Sequence, residues 1–185
     1  MARIRVIEPE DARGRLREIY EELAGKRGKI AAIHKIQSLN PESIRSHMDL
    51  YMTIMYGKSS LSRAQRELIG VVVSRANGCE YCVRHHLEAL RHFWRDPLLL
   101  KCIEEDFEQA GLDDRNAALC DYAWKLSRRP AGIDDDDFRA MRETGLDDQA
   151  ILDATLTVAY FNFVNRIVTG LDVELEPDPG GYKYE

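Results

Sequence analysis

Apolar residues along this chain recur every three to four positions between breaks marked by glycine, proline and asparagine, a spacing that predicts helices. Residues 2–7 alternate loosely and read as a short extended lead-in. Pro9, Glu10 and Asp11 open a helix whose apolar stripe is Leu16, Ile19, Tyr20 and Leu23, and which ends over Gly25 to Gly28. A weak short helix over 30–39 stops at Asn40 and Pro41. Pro41 suits the first position of the next helix, which runs to Tyr56 with Gly57 as its stop. Its face of Met48, Tyr51, Met52, Met55 and Tyr56 reads as core, with a subunit interface as the alternative.

Ser62 is the expected N-cap of a helix that is apolar nearly all round from Leu68 to Val73 and therefore central. Asn77 and Gly78 break it, and another helix begins close to Cys79, carrying Leu87, Leu90 and Phe93. Asp96 and Pro97 open a further one that Gly111 ends. The four residues from Gly111 recur from Gly145: glycine closes a helix, leucine packs back, and an aspartate caps the next. The remaining helices are expected over 114–128, from Asp134, and over 148–169, ending at Gly170. No strand pair is expected. The reading is all-α, one helical bundle of about eight helices over residues 1–172, followed by a tail at 173–185 that is disordered or wrapped on a partner.

The totals bound the function. At 185 residues, 44% hydrophobic and 31% charged, the chain has enough length for one core without staples. A net charge of −6 with no basic cluster argues against nucleic acid as a partner. The N-terminus has no apolar signal-like stretch, and residues 150–171, the most apolar segment, carry Asp153, Asn162, Asn165 and Arg166, too polar for a membrane span. A cytoplasmic address is expected, where a close cysteine pair suggests redox or metal chemistry rather than a disulfide framework.

That pair is Cys79 and Cys82, with His86 four residues on and Glu67 twelve residues before. On one helix Cys79, Cys82 and His86 fall within an arc of about 60°, while His85 points away. A helix start and a nearby imidazole both favour a thiolate. Glu67, beside Ala64, Leu68 and Val71, is expected to have a raised pKa and to accept a proton near neutrality. Two thiols, an imidazole and a carboxylate base support peroxide reduction through a sulfenic acid and a disulfide. The competitor is zinc on Cys79, Cys82, His86 and Glu67, but structural zinc sites mostly draw ligand pairs from separate elements, so redox is favoured and no metal or other cofactor is assigned. Cys102 and Cys120 read as core thiols, His34, His47 and His92 as surface or packing residues, and Asn162 and Asn165 as partners of buried polar groups. Asp134 to Asp137 read as helix-start charge.

The spacing of Glu67, Cys79, Cys82 and His86 resembles the active-site pattern of the alkyl hydroperoxidase D-like proteins of the carboxymuconolactone decarboxylase superfamily. The opening from Ile7 to Tyr20, residues 119–126 and residues 160–167 resemble the subgroup called peroxidase-related proteins. The resemblance implies an all-helical fold, homo-oligomers (dimers, trimers or hexamers), and a small hydroperoxide substrate reduced with a dithiol or protein reductant as partner. It also implies Glu67, Cys79, Cys82 and His86 as the catalytic set. The best-studied branch has a further histidine where this chain has Tyr81, so part of that proton relay is absent or rerouted. Because the imidazole lies one turn beyond Cys82, that cysteine is assigned the attack on peroxide and Cys79 the resolving role. Two alternatives stay open at this point: a thiol–disulfide relay for another protein, and a zinc-stabilised assembly module.

Overall fold

Every regular element of the computed structural model, which describes residues 2–182, is helical. In order they are α1 (Gly14–Arg27), α2 (Ala32–Lys35), α3 (Pro41–Tyr56), α4 (Arg63–Ala76), α5 (Glu80–Arg91), α6 (Pro97–Glu105), α7 (Asp114–Arg128), α8 (Asp135–Glu143) and α9 (Asp148–Leu171). The fold is all-α, with nine α-helices among the described residues against about eight expected, and the weak helix expected over 30–39 is the single turn α2.

Helix α4 is the hub, and its sequence explains why. Ser62 and Gln65 form a reciprocal capping box at its start, each side chain taking the other's backbone N–H. From Leu68 to Val73 no side chain reaches solvent. A helix that is apolar all round needs neighbours all round, and α5, α7 and α9 supply them. A second, smaller cluster joins Leu16, Ile19, Tyr20 and Leu23 of α1 to Ile44 and Met48 of α3.

The connectors follow the expected chemistry. Gly111 and Gly145 both adopt positive φ, and Asp113 and Asp147 accept the backbone N–H groups of Asn116 and Ala150 at the next helix starts. Asp134 and Asp137 form a capping box on α8. Met48 and Met55 are buried, in keeping with a core face on α3, whereas Met52 is exposed.

Several boundaries differ from the sequence reading. Pro9–Asp11 is a separate 3-10 turn, because Ala12 and Arg13 are extended before α1 begins. Helix α6 stops at Asp106, whose extended backbone starts another short turn, rather than running on to Gly111. Gly57 is not left-handed: its φ is −62°, and glycine is required because a Cβ there would lie 2.3 Å from the Thr53 carbonyl oxygen. The largest difference is the tail. Residues 173–182 lie on the chain's own surface, with Lys29 donating to the Asp178 carbonyl at 2.7 Å and the Ala32 amide donating to Glu176 at 2.6 Å. Residues 183–185 fall outside the described residues.

Candidate active site

The turn between α4 and α5 sets the thiols. Gly78 takes a φ of +65°, which a side-chain-bearing residue adopts only at a cost, and this left-handed step reverses the chain directly ahead of Cys79. The turn is held from α9: Asn77 donates to the side-chain oxygens of Asn165 at 2.9 Å and Asn162 at 3.1 Å. Asn165 in turn donates to the Ser74 hydroxyl, and the Ser74 carbonyl receives the Cys79 amide at 2.9 Å. The buried asparagines of α9 thus satisfy partners, as expected, and those partners are the turn that aims the cysteines.

Cys79 is the N-cap of α5 and Cys82 lies in its first turn; both are buried and neither is in a disulfide. The Cys82 thiol donates to Cys79, which outweighs burial; with help from the Cys82 amide, Thr169 and Asn165 it brings the Cys79 pKa down to about 7. The same pairing, together with burial, pushes Cys82 well above an ordinary thiol. Of the two, Cys79 is the more readily ionised and Cys82 the more firmly protonated.

Glu67, fully buried on α4, faces two donors. His86 Nδ1–H donates to its Oε2 at 2.6 Å, and Arg63, one turn earlier on α4, donates to Oε1 through Nε at 2.8 Å and through its Nη2. Arg63 is itself packed over the Tyr56 ring at 3.7 Å. The expectation of a raised Glu67 pKa is corrected here. Burial does push it up, but the charges and hydrogen bonds of His86 and Arg63 prevail and hold it below the ordinary value, as a carboxylate. Glu67 therefore orients His86 rather than taking protons. With Nδ1–H committed to Glu67, Nε2 is the edge of His86 left for proton exchange.

Gly70 makes this close packing possible. A Cβ at that position would lie 2.8 Å from two ring atoms of Phe161 and 3.3 Å from His86 Cγ. The Phe161 and His86 rings meet edge to face, with centroids 4.4 Å apart.

Cys82 and His86 line one cavity of about 80 Å³. Tyr160 and Phe161 of α9 and His34 and His47 from the N-terminal half are among the other residues that line it. Volume of that order holds several waters or a small organic hydroperoxide. His34 and His47 are thus not surface residues: both border the cavity, and burial takes His47 down to a pKa of about 4. His85 also borders it, at the rim, where it is hydrogen-bonded to Glu176 at 2.9 Å. Tyr81 donates to the same carboxylate at 3.0 Å. Burial works against the Glu176 charge, but the bonds from His85 and the Ala32 amide take it to about 2. The tail is therefore tied at the rim of the cavity through the Glu176 carboxylate and through the contact of Asp178 with Lys29, which also borders it.

Elsewhere, Cys120 is buried and its thiol is pushed up by burial, while Cys102 is partly exposed. His92 does not border the cavity. Among the described residues no three His, Cys, Asp or Glu side chains are disposed to hold a metal ion, and both Glu67 oxygens are taken by Arg63 and His86. No described helix is long and apolar enough to cross a membrane. Arg63, Gly70, Asn165, His47 and Tyr160 were not assigned to the site from sequence. Only Arg63, one turn from Glu67 with a complementary charge, carried a local signal.

Residues 41–93 match the model of the carboxymuconolactone decarboxylase family. A peroxidase-related protein from Silicibacter sp. TM1040 is 30% identical, with a TM-score of 0.81 over 87% of this chain and 84% of that one. A second solved structure, described as an alkylhydroperoxidase AhpD core and peroxidase-related protein from Ralstonia eutropha JMP134, is 25% identical with a TM-score of 0.87 over 96% and 94%. The curated protein YdfG of Bacillus subtilis (strain 168) is 27% identical over 69% of this chain and 85% of its own length.

Proposed function

Because the chain belongs to the alkyl hydroperoxidase D-like, peroxidase-related members of the carboxymuconolactone decarboxylase family, we propose that it is a thiol peroxidase for hydrogen peroxide or small alkyl hydroperoxides. The observation that carries the reading is the cavity. Its one thiol, Cys82, stands beside an imidazole fixed by a buried carboxylate, and a second thiol, Cys79, is already hydrogen-bonded to it.

The proton of Cys82 passes to Cys79 along their existing hydrogen bond, leaving Cys82 as the thiolate in the cavity. Its sulfur attacks the terminal oxygen of ROOH; the S–O bond forms, the O–O bond breaks, and Cys82 becomes a sulfenic acid. The departing RO⁻ takes a proton that His86 Nε2 has picked up from solvent and passes on, and leaves as the alcohol. The Cys79 thiol then condenses with the sulfenic acid, forming the disulfide and water. A dithiol or protein reductant returns the pair to two thiols. Cys82 is given the attack although Cys79 is the more readily ionised, because Cys82 borders the cavity and Cys79 does not.

The same reading makes residues up to 172 the catalytic unit, with the tail at the cavity rim, in a cytoplasmic homo-oligomer. Leu152, Leu156 and Phe163 support the assembly: they are exposed and share one face of α9. Light scattering coupled to gel filtration reads that point; a monomer at working concentration would remove it. The chemistry itself is tested by trapping. Cys79→Ser exposed to an alkyl hydroperoxide should accumulate a sulfenate on Cys82 that dimedone captures. Capture at Cys79 in Cys82→Ser at the wild-type rate would reverse the order proposed.

A further inference from the structure

Tyr160 and His47 are far apart in sequence, and their contact has a direction that the surrounding groups fix. Gln37 donates through Nε2 to the Ile33 carbonyl at 2.7 Å. A carbonyl oxygen only accepts, so the side-chain atom facing it is the amide nitrogen, and the orientation of Gln37 is settled. The same nitrogen has a second hydrogen, which lies 2.9 Å from His47 Nδ1. Nδ1 is therefore the acceptor. A neutral imidazole has one N–H, so the hydrogen is on Nε2, which lies 2.7 Å from the Tyr160 hydroxyl. His47 is kept neutral by its burial.

The Tyr160 oxygen thus receives a hydrogen bond, and its own proton is left for the cavity that Tyr160 borders together with Cys82. The two groups are close enough for the charge of Cys82 to bear on the Tyr160 hydroxyl. The rim groups nearest in kind are already engaged: the Tyr81 hydroxyl and His85 Nε2 are both on Glu176.

We infer that Tyr160 is a further catalytic residue, a hydrogen-bond donor to the oxygen that leaves when the hydroperoxide O–O bond breaks, with His47 and Gln37 as the positioning residues that point its proton inward. This rests on the peroxidase reading above. As Cys82 sulfur takes the terminal oxygen, charge develops on RO⁻; the Tyr160 O–H stabilises that charge, and Tyr160 ends the step unchanged. The proton retained by the alcohol is still the one delivered through His86. A donor fixed before the reaction costs nothing to reorient as charge develops, which is why such groups matter most in a buried site.

The test is the rate of thiol loss in reduced wild-type protein and in Tyr160→Phe, using two oxidants in parallel. Tert-butyl hydroperoxide expels an alkoxide and needs the donor; peracetic acid expels a carboxylate, which needs it far less. In Tyr160→Phe the rate with tert-butyl hydroperoxide should fall on the order of 10²-fold, the typical cost of one such donor, and the loss with peracetic acid should be at least about tenfold smaller. Equal loss with both oxidants would make Tyr160 a packing residue and overturn the inference, as would an unchanged rate with tert-butyl hydroperoxide. If the wild type itself spares its thiols with tert-butyl hydroperoxide, the peroxidase reading fails, and this inference with it.

Discussion

Replacing Glu67 by glutamine keeps the shape of the side chain and removes its charge, so it separates packing from electrostatics at the centre of the site. The outcome can be worked from the two donors that face it. Arg63 is a cation and keeps the one oxygen of the amide, as it now keeps Oε1. The NH₂ group is then turned to His86 Nδ1, which must become an acceptor. The hydrogen of His86 moves to Nε2, and the edge needed to exchange a proton in the cavity is blocked. Loss of one acid–base group costs about 10²–10⁴-fold, so peroxide-dependent thiol loss should fall by at least about 10²-fold. Breaking a buried ion pair on one side costs about 3–5 kcal/mol; the lower end applies, because Arg63 retains the Tyr56 ring at 3.7 Å. At about 2–4 °C per kcal/mol for a chain of this size, Tm should drop by about 6–12 °C. The loss should also depend on pH. Since the folded-state pKa of Glu67 lies below its ordinary 4.5, its contribution is complete above about that pH and disappears as the pH falls through the folded value. The gap in urea midpoint between wild type and Glu67→Gln should therefore be widest near neutrality and close in acid. Stopped-flow thiol loss and urea titration at several pH values supply the data. A variant that reacts at the wild-type rate, or whose stability gap is the same at pH 3 as at pH 7, would refute the assignment of Glu67 as the charged anchor of His86.

Other expected outcomes follow from single contacts. Gly70→Ala should lower Tm by about 2–12 °C, the cost of overpacking at about 1–3 kcal/mol against Phe161 and His86, and slow thiol oxidation; an unchanged Tm would mean that those rings yield freely. Iodoacetamide reactivity should titrate with a midpoint near 7 in the wild type and move up toward the ordinary thiol value in Cys82→Ala, since the donating Cys82 thiol is the main cause of the lowered Cys79 value; an unmoved midpoint contradicts that cause. Glu176→Gln should loosen the tail and speed alkylation of Cys82, read by peptide mass spectrometry, whereas equal alkylation would show that the tail does not limit entry. Asn165→Leu should destabilise the chain and raise the Cys79 pKa together, because the same side chain holds Asn77 and bears on Cys79.

What the sequence made legible was whatever depends on near neighbours. Helix periodicity, the Ser62 and Asp113 caps and the break at Asn77 and Gly78 are written within a few residues of where they act. Cys79, Cys82 and His86 share an element, so their common face could be read from spacing. The groups that tune them come from elsewhere in the chain. Asn165 and Tyr160 arrive on α9, His47 on α3 and Glu176 on the tail, and nothing in their local sequence marks them as partners of residues 67–86. Burial of Glu67 alone suggested a raised pKa; the charges and hydrogen bonds of His86 and Arg63 reverse the sign. His85 was set aside on helical geometry as pointing away, yet it borders the same cavity as Cys82 and His86, at the rim where the C-terminal tail meets it.

The most direct test of the account is a free-thiol count on fully reduced, chelator-treated protein before and after one equivalent of an alkyl hydroperoxide. The account predicts rapid loss of two of the four thiols, with Cys79 and Cys82 joined in the disulfide peptide and Cys102 and Cys120 intact, and no such loss in Cys82→Ser. Four thiols persisting in the wild type would contradict it.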